Sequence, residues 1–149
     1  MTNREFLTIV VAGQEFGVPV MDIHDVLRAQ DMTYVPKAGP GIAGMLNLRG
    51  RIVTALDMRS CLELQSRADG VDSIHIVVHF NGEPYGLVVD GVGDVITLAD
   101  EDRETPPKNF DPHWASLING VHRLDGRLLL VLNIERVIEA ARARRPQAA

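Results

Sequence analysis

The chain is almost free of cysteine, since Cys61 is the only one among its 149 residues. A lone thiol excludes an intrachain disulfide framework and fits a reducing compartment. Long apolar runs are also missing, because no stretch approaches the roughly 18 consecutive apolar residues of a membrane span. Residues 3–5 are polar or charged, unlike the start of a secretory signal. The sequence therefore predicts a cytoplasmic protein with no direct membrane insertion.

Aromatic residues and positive charge are scarce as well. Aromatic residues make up 5% of the chain, and the formal net charge is -5. Nucleic-acid binders usually present a basic face or stacking aromatics, so we expect no nucleic-acid partner. The one basic cluster, Arg142, Arg144 and Arg145, is interpreted as the solvated end of a helix.

Catalytic motifs are missing too. The chain has no G-x-S-x-G elbow, no P-loop and no credible base for Ser60 or Cys61. Gly39–Gly44 formally fits G-x-G-x-x-G, but Pro36 and Pro40 interrupt the strand and helix which that motif requires. We interpret it as a glycine-rich turn. The sequence predicts a protein that is not an enzyme and has no cofactor.

A metal site is not expected either. His75 and His79 have an H-x-x-x-H spacing, but the residues between them are those of a strand. Four residues of strand span roughly 13 Å, whereas zinc needs its ligands at about 2 Å. The remaining histidines have no cluster of ligands at suitable spacing.

Short β-type runs dominate what is present. Each is rich in β-branched or aliphatic residues and is bounded by Gly, Asn, Asp or Pro, which is typical of strands. The six predicted strands are residues 6–11, 16–20, 52–56, 74–78, 85–89 and 128–132. Asn81-Gly82 and Asp125-Gly126 predict type I′ hairpin turns, whose two central residues need positive φ.

Helical signals are few. Ile134–Arg144 has apolar residues at helical spacing, with Asn133 as the predicted N-cap and Pro146 as the stop. A short helical turn is expected within Met58–Leu64. Asp100–Pro112 is rich in proline and acidic residues, which predicts a long loop.

An internal repeat is the strongest organisational signal. Phe16–Leu27 aligns without gaps with Tyr85–Ile96, and Gly44–Leu62 aligns with Gly120–Ile138. The two blocks recur in the same order. Each half would bury a marginal core alone, so we expect two similar all-β halves that pack together and leave a groove for a partner.

Arg49 is the residue that the repeat marks out. It lies in Asn47-Leu48-Arg49-Gly50 at an expected hairpin turn, and its equivalent in the second half is Asp125. The duplicated fold therefore does not demand arginine there. The planar guanidinium suits bidentate contacts at an interface, while the alternative interpretation is a solvated turn residue.

At this point the chain resembles the CheW family of chemotaxis coupling proteins. The similarity covers roughly residues 6 to 139 and is sharpest at Gly44–Gly50 (GMLNLRG) and Leu56–Arg59 (LDMR), with further support from Ile23–Leu27 and Gly86–Val92. The family usually has glutamate where Asp25 stands. The resemblance implies an all-β fold of two intertwined SH3-like five-stranded β-barrels with a short C-terminal helix.

In domain terms, the resemblance implies one CheW-like domain over 1–149. We expect halves at about 16–64 and 74–138, with the N-terminal strand 6–11 and the C-terminal segment crossing between them.

The resemblance also implies a function. Such proteins are non-enzymatic adaptors that couple the cytoplasmic tip of methyl-accepting chemoreceptors to a CheA-type histidine kinase, and are recruited to membrane receptor arrays. We expect the isolated protein to be monomeric. The implied receptor-binding groove consists of Val20, Ile23, Asp25, Arg49, Val92 and Val95. The implied kinase-binding residues are Gly44, Asn47 and Gly50.

Two alternatives stay open. One is a small-ligand-binding β-barrel, a sensor or an enzyme, which would need a closed, polar-lined pocket instead of an open aliphatic groove. The other is a structural array component, or a paralogue that serves a non-chemotaxis receptor system.

Overall fold

A computed structural model describes residues 2–28, 32–33, 41–65 and 73–143. These residues form ten strands: β1 (Asn3–Val11), β2 (Gln14–Pro19), β3 (Ile23–Arg28), β4 (Ile42–Leu48), β5 (Arg51–Asp57), β6 (Ile74–Phe80), β7 (Glu83–Val89), β8 (Gly91–Ala99), β9 (Ile118–Leu124) and β10 (Arg127–Leu132). They also form the helices α1 (Met58–Cys61), α2 (Pro112–Ala115) and α3 (Ile134–Ala143) and the 3₁₀ turns Val20–Asp22 and Asp100–Asp102.

The strands with continuous apolar sequences are the ones that the sequence predicted. β3, β4, β8 and β9 were not predicted, because they carry polar residues or glycines among their apolar ones. In β3, half-buried and exposed residues alternate along the strand. Such a strand has one face against the protein and one toward solvent. Its apolar residues are therefore separated by polar ones, and the sequence shows no continuous apolar run.

The ten strands form two five-stranded sheets with matching order. The first sheet runs β8-β1-β2-β10-β9, and the second runs β3-β6-β7-β5-β4. The sequence repeat aligns β2 with β7, β3 with β8, β4 with β9 and β5 with β10, and each aligned pair occupies the same place in its sheet. The expected all-β, duplicated, intertwined SH3-like architecture is therefore confirmed.

The two sheets do not follow the expected halves 16–64 and 74–138. β2 lies in the first sheet beside β10, while β6 and β7 lie in the second sheet with β3, β4 and β5. Two parallel pairings, β2 with β10 and β7 with β5, join strands that are distant in sequence. The chain thus passes from one sheet to the other after β2 and again after β7. The pairings leave β8 and β9 as the edges of the first sheet, and β3 and β4 as those of the second.

The second passage is held by an ion pair. Asp90 separates β7 from β8, and its carboxylate accepts hydrogen bonds from Arg59 Nη2 at 2.7 Å and from the Ala12 amide at 2.6 Å. Arg59 Nε lies 3.1 Å from both carboxylate oxygens, and the two side chains are 19% and 15% exposed. The pair connects α1, the crossover and the β1–β2 turn.

One apolar cluster spans both sheets and the C-terminal helix. Among its members, Phe16 comes from the first sheet, Leu87 from the second and Ile138 from α3, and all three are fully buried. Asn133 caps α3 as predicted, because its Oδ1 accepts a hydrogen bond from the Arg136 amide at 3.0 Å. The predicted stop Pro146, the basic residues Arg144 and Arg145, and Gly39 and Pro40 of the glycine-rich motif lie outside the described residues.

The segment Asp100–Pro112 is more structured than a loop. It begins with the 3₁₀ turn, and Glu104 forms an isolated antiparallel bridge with Val121. The Asp111 carboxylate accepts a hydrogen bond from the His113 amide at the start of α2. Trp114 Nε1 then donates to the Leu62 carbonyl at 2.9 Å, so α2 docks beside α1. These long-range contacts leave no periodic signal in the sequence.

The hairpin turns differ in type. Asn81 and Gly82 both have positive φ (52° and 78°), as predicted for a type I′ turn. Asp125-Gly126 does join β9 to β10, but only Gly126 has a positive φ (69°), so the type I′ prediction is wrong there. The equivalent turn in the first half has positive φ at both Arg49 (54°) and Gly50 (83°).

Candidate partner-binding site

Arg49 occupies an unusual backbone conformation at the β4–β5 turn. A positive φ is costly for a residue with a Cβ, and glycine or asparagine is the usual occupant. Asn47 supports the turn, because its Oδ1 accepts a hydrogen bond from the Gly50 amide at 3.0 Å. The Arg49 side chain is 79% exposed. Any contribution of this side chain must therefore come from the contacts of its guanidinium and not from packing.

Arg49 and Asp25 are brought together as an ion pair. Arg49 Nη2 lies 3.4 Å from Asp25 Oδ2, while Asp25 Oδ1 accepts a hydrogen bond from the Val26 amide at 2.9 Å. Asp25 is on β3 and Arg49 follows β4, which are the opposite edges of the second sheet. The sheet is therefore curled enough for its two edges to meet through this pair.

The pair stands at the mouth of an open depression of about 210 Å³. Nine residues line it: His24, Asp25, Leu48, Arg49, Arg51, Val53, Val77, His79 and Pro84. The rings of His24 and His79 stack in it, with centroids 3.7 Å apart and planes inclined by 14°. Burial, then the neighbouring His24 and Arg51 charges, lower the pKa of His79 below its usual range. Sequence reasoning missed this stack, because β3 was not predicted.

The other predicted groove residues lie on β8 of the first sheet, in the 3₁₀ turn after β2 and at the start of β3. Leu7 pairs with Val18 on one side and with Val95 on the other. Since neighbouring strands are about 5 Å apart, Val95 lies roughly 10 Å across the sheet from Val18. The chain then continues from β2 into the 3₁₀ turn that contains Val20. The two parts of the predicted groove are thus separated by the width of β1.

Five apolar residues on these elements are half-buried or exposed, and together we call them the apolar stripe. Its residues are Val20, Met21, Ile23, Val92 and Val95; Val20 and Ile23 are half-buried, and the others are exposed. Met21 was not predicted, yet it is 92% exposed, the highest value among the exposed large hydrophobic residues of the described part. Its position between Val20 and Ile23 was the available signal. Ile23 begins β3, so the stripe leads directly to Asp25 and Arg49.

The three predicted kinase-binding residues shape the β4–β5 hairpin. A Cβ at Gly44 would lie 2.7 Å from the Thr33 carbonyl oxygen, which accepts a hydrogen bond from the Met45 amide. Asn47 and Gly50 form the turn described above. The exposed apolar side chains of the same hairpin are Met45 and Ile52. They were not predicted, and they lie beside the residues that were.

Within the described ranges, no three His, Cys, Asp or Glu side chains converge in a way that could hold a metal ion. His75 is fully buried, whereas His79 lies in the depression beside His24. Across the same ranges, no helix is long and apolar enough to cross a membrane.

Two intertwined five-stranded sheets, related by an internal repeat and carrying an ion-paired turn beside an apolar stripe, define a duplicated SH3-like module. A family model described as the CheW-like domain matches residues 5–142. The chain belongs to the CheW-like family.

Comparisons with individual proteins agree with this. The chain is 27% identical to the chemotaxis protein CheW of Klebsiella aerogenes, covering 93% of this chain and 83% of that protein. It is 28% identical to CheW of Rhizobium meliloti, covering 92% and 90%. The crystal structure of the scaffolding protein TtCheW from Thermoanaerobacter tengcongensis superposes with a TM-score of 0.84 at 24% identity, covering 97% of this chain and 93% of that one. This structural match supports the fold.

Proposed function

We propose that the protein is a non-enzymatic adaptor in chemotaxis signal transduction, coupling methyl-accepting chemoreceptors to a CheA-type histidine kinase. In this proposal it is cytoplasmic, is recruited to membrane receptor arrays and is monomeric when isolated. Family membership and the names of the relatives support the chemotaxis role. The observation that carries the proposal is Arg49, an exposed arginine held at a positive φ where the other half has aspartate.

The receptor surface in this proposal combines the apolar stripe with the Asp25–Arg49 pair. A helical receptor tip would lay an aliphatic face on Val20, Met21, Ile23, Val92 and Val95, as helices do in apolar grooves. Arg49 would set the register through a carboxylate or carbonyl at the rim. Asp25 restrains the guanidinium before binding, which lowers the entropic cost of ordering it.

The kinase surface lies on the β4–β5 hairpin. Gly44, Asn47 and Gly50 remain proposed contacts through their backbone and their control of hairpin shape. Met45 and Ile52 supply the apolar area. The stripe lies around β8, the 3₁₀ turn and the start of β3, so the two proposed surfaces adjoin at Arg49, which lies in the β4–β5 turn.

The open form of the cavities favours an adaptor over the ligand-binding alternative. The depression beside Arg49 is an open cleft, and so is the one of about 440 Å³ between residues 104–107 and the β9–β10 hairpin. Small-molecule sites usually enclose most of their ligand.

Arg49→Asn tests the receptor surface. Asparagine tolerates positive φ, and an exposed ion pair contributes little, so the melting temperature should stay within about 2 °C of the parent or rise slightly. Affinity for a soluble receptor cytoplasmic fragment, measured by calorimetry, should fall at least about tenfold.

Asp125→Asn is the matched control, because it changes one exposed charge at the equivalent turn and should leave receptor affinity unchanged. Equal effects of the two variants, or a melting temperature lowered by about 5 °C or more in Arg49→Asn, would contradict the assigned role. Absence of binding of the parent protein to either partner at tens of micromolar would overturn the adaptor proposal.

A further inference from the structure

His24 lies in a β-bulge beside the receptor surface. In the pairing of β3 with β6, Ile23 is opposite Val78 and Asp25 is opposite Val77, so His24 is the extra residue. A bulge bends its strand and re-aims a side chain. Here it places the His24 ring on the His79 ring, 3.7 Å away and nearly parallel. The two residues that flank the bulge, Ile23 and Asp25, are both in the proposed receptor surface.

The bulge belongs to the duplicated fold, whereas the histidine does not. The repeat aligns His24 with Gly93, and β8 has a register shift against β1 at this point, where Val95 pairs with Leu7 and Val92 with Ile9. The second half thus has the equivalent bulge, with a glycine in place of the histidine. As with Arg49 and Asp125, the first half carries a side chain that the fold does not require.

Charged residues line both depressions that contain His79. In the depression shared with Arg49, the neighbours are Asp25 on β3, Arg49 in the turn and Arg51 on β5. The His79 ring also lines a second depression, where Asp22 and Glu135 are the charged residues. On β7, Pro84 is opposite His79, and the adjacent Glu83 carboxylate accepts a hydrogen bond from Tyr85 Oη.

Protonation of both rings is therefore costly. Two imidazolium ions at this distance repel each other, and Arg51 adds a third positive charge to the same depression. The charges of His24 and Arg51, together with burial, accordingly lower the pKa of His79. The stack can persist with one proton, but separation of the rings relieves the repulsion when both are charged.

We propose that the His24–His79 stack is a proton-sensitive latch on the β3 bulge. When at least one ring is neutral, the stack holds Ile23 and Asp25 in place. When both rings are charged, the latch opens and β3 loosens at its bulge. On the proposed function, on which this consequence rests, mild acidification weakens receptor binding.

Nuclear magnetic resonance of the full chain between about pH 7.5 and pH 5 tests the latch directly. The His79 ring signals should titrate below the usual histidine range, and the Ile23 and Asp25 amide signals should move with them. The amides of Val92 and Val95, at the equivalent bulge without histidine, should stay constant. Constant Ile23 and Asp25 amides across the titration of the His79 ring would overturn the proposal.

The variants His24→Phe and His79→Phe keep an aromatic stack and remove one titrating ring. In either variant, the Ile23 and Asp25 amides should no longer move with pH. The same movement in both variants, or equal movement at Val92 and Val95, would show that acid acts elsewhere in the protein and would overturn the latch. If a variant fails to fold, the titration of the parent protein still tests the latch.

Receptor binding is a separate readout. Between about pH 7.5 and pH 5.5, the parent should lose receptor affinity about fivefold more than either phenylalanine variant does. Equal losses would overturn the regulatory consequence. If no receptor fragment binds at about pH 7.5, the adaptor proposal fails, while the amide titration still decides the latch.

Discussion

At the scale of single residues, equivalent positions of the repeat separate structural from functional side chains. Asp57 and Asn133 are equivalent, and both cap the helix that follows, so this pair is what the fold requires. Arg49 and Asp125 are also equivalent, but they differ in charge and in backbone conformation. A difference at such a position needs an explanation other than the fold.

The Arg59–Asp90 pair is structural for a different reason, since it ties the crossover between the sheets to α1. Replacement of Arg59 by methionine would leave a poorly exposed carboxylate without its main counter-charge. We expect Arg59→Met to lower the free energy of unfolding by about 3 kcal/mol, measured by urea denaturation.

Arg4→Met is the control for that experiment. Arg4 pairs with Asp100 at 2.9 Å, but the two side chains are 56% and 30% exposed. Exposed pairs contribute less than about 1 kcal/mol. If the free energy of unfolding fell by a similar amount in the two variants, burial would not make the Arg59–Asp90 pair more stabilising than an exposed pair.

At the scale of elements, the two β-hairpins that are equivalent in the repeat present different surfaces. On β4–β5, Met45 is exposed; its equivalent on β9 is Val121, which is buried and bridged by Glu104. Ile52 is 58% exposed, and its equivalent Leu128 is 39% exposed. Thr33 bridges Met45 as Glu104 bridges Val121, so the two hairpins differ in the exposure of their apolar side chains and not in this bridge.

Ile52→Lys should weaken binding of a CheA-type kinase about thirtyfold in a pull-down or calorimetric assay, because it places a charge in the centre of the apolar contact. Leu128→Lys at the equivalent position should leave kinase binding within about twofold. Receptor binding should be retained by both variants. Loss of kinase binding in Leu128→Lys alone would place the kinase surface on the other hairpin.

At the scale of the whole molecule, the exchange of strands makes the two sheets one folding unit. The second sheet needs β6 and β7 from the later part of the chain, and the first sheet needs β1 and β2 from the earlier part. The main apolar cluster is also shared by both sheets. Neither half of the sequence contains a complete sheet.

We therefore expect residues 1–72 and 73–149, produced separately, to show no cooperative thermal transition by circular dichroism. The intact chain should unfold in one step with the same midpoint by circular dichroism and by Trp114 fluorescence. Two separated transitions in the intact chain would show that the sheets unfold independently.

The sequence by itself determined the local and repeated features of this protein. Apolar runs such as Ile74–Phe80 and Tyr85–Val89 identify strands because burial on both faces leaves a continuous signal, and the capping of α3 by Asn133 is local chemistry. The repeat indicated two equivalent halves, and comparison of Arg49 with Asp125 singled out the β4–β5 turn as a candidate site.

Only the tertiary structure decided which strands share a sheet and which side chains meet. Parallel pairing of β2 with β10 joins residues far apart in sequence, and such contacts leave no periodicity to read. For the same reason the Asp25–Arg49 pair and the His24–His79 stack could not be predicted from sequence. Each depends on the position of the polar edge strand β3, and tertiary packing determines that position.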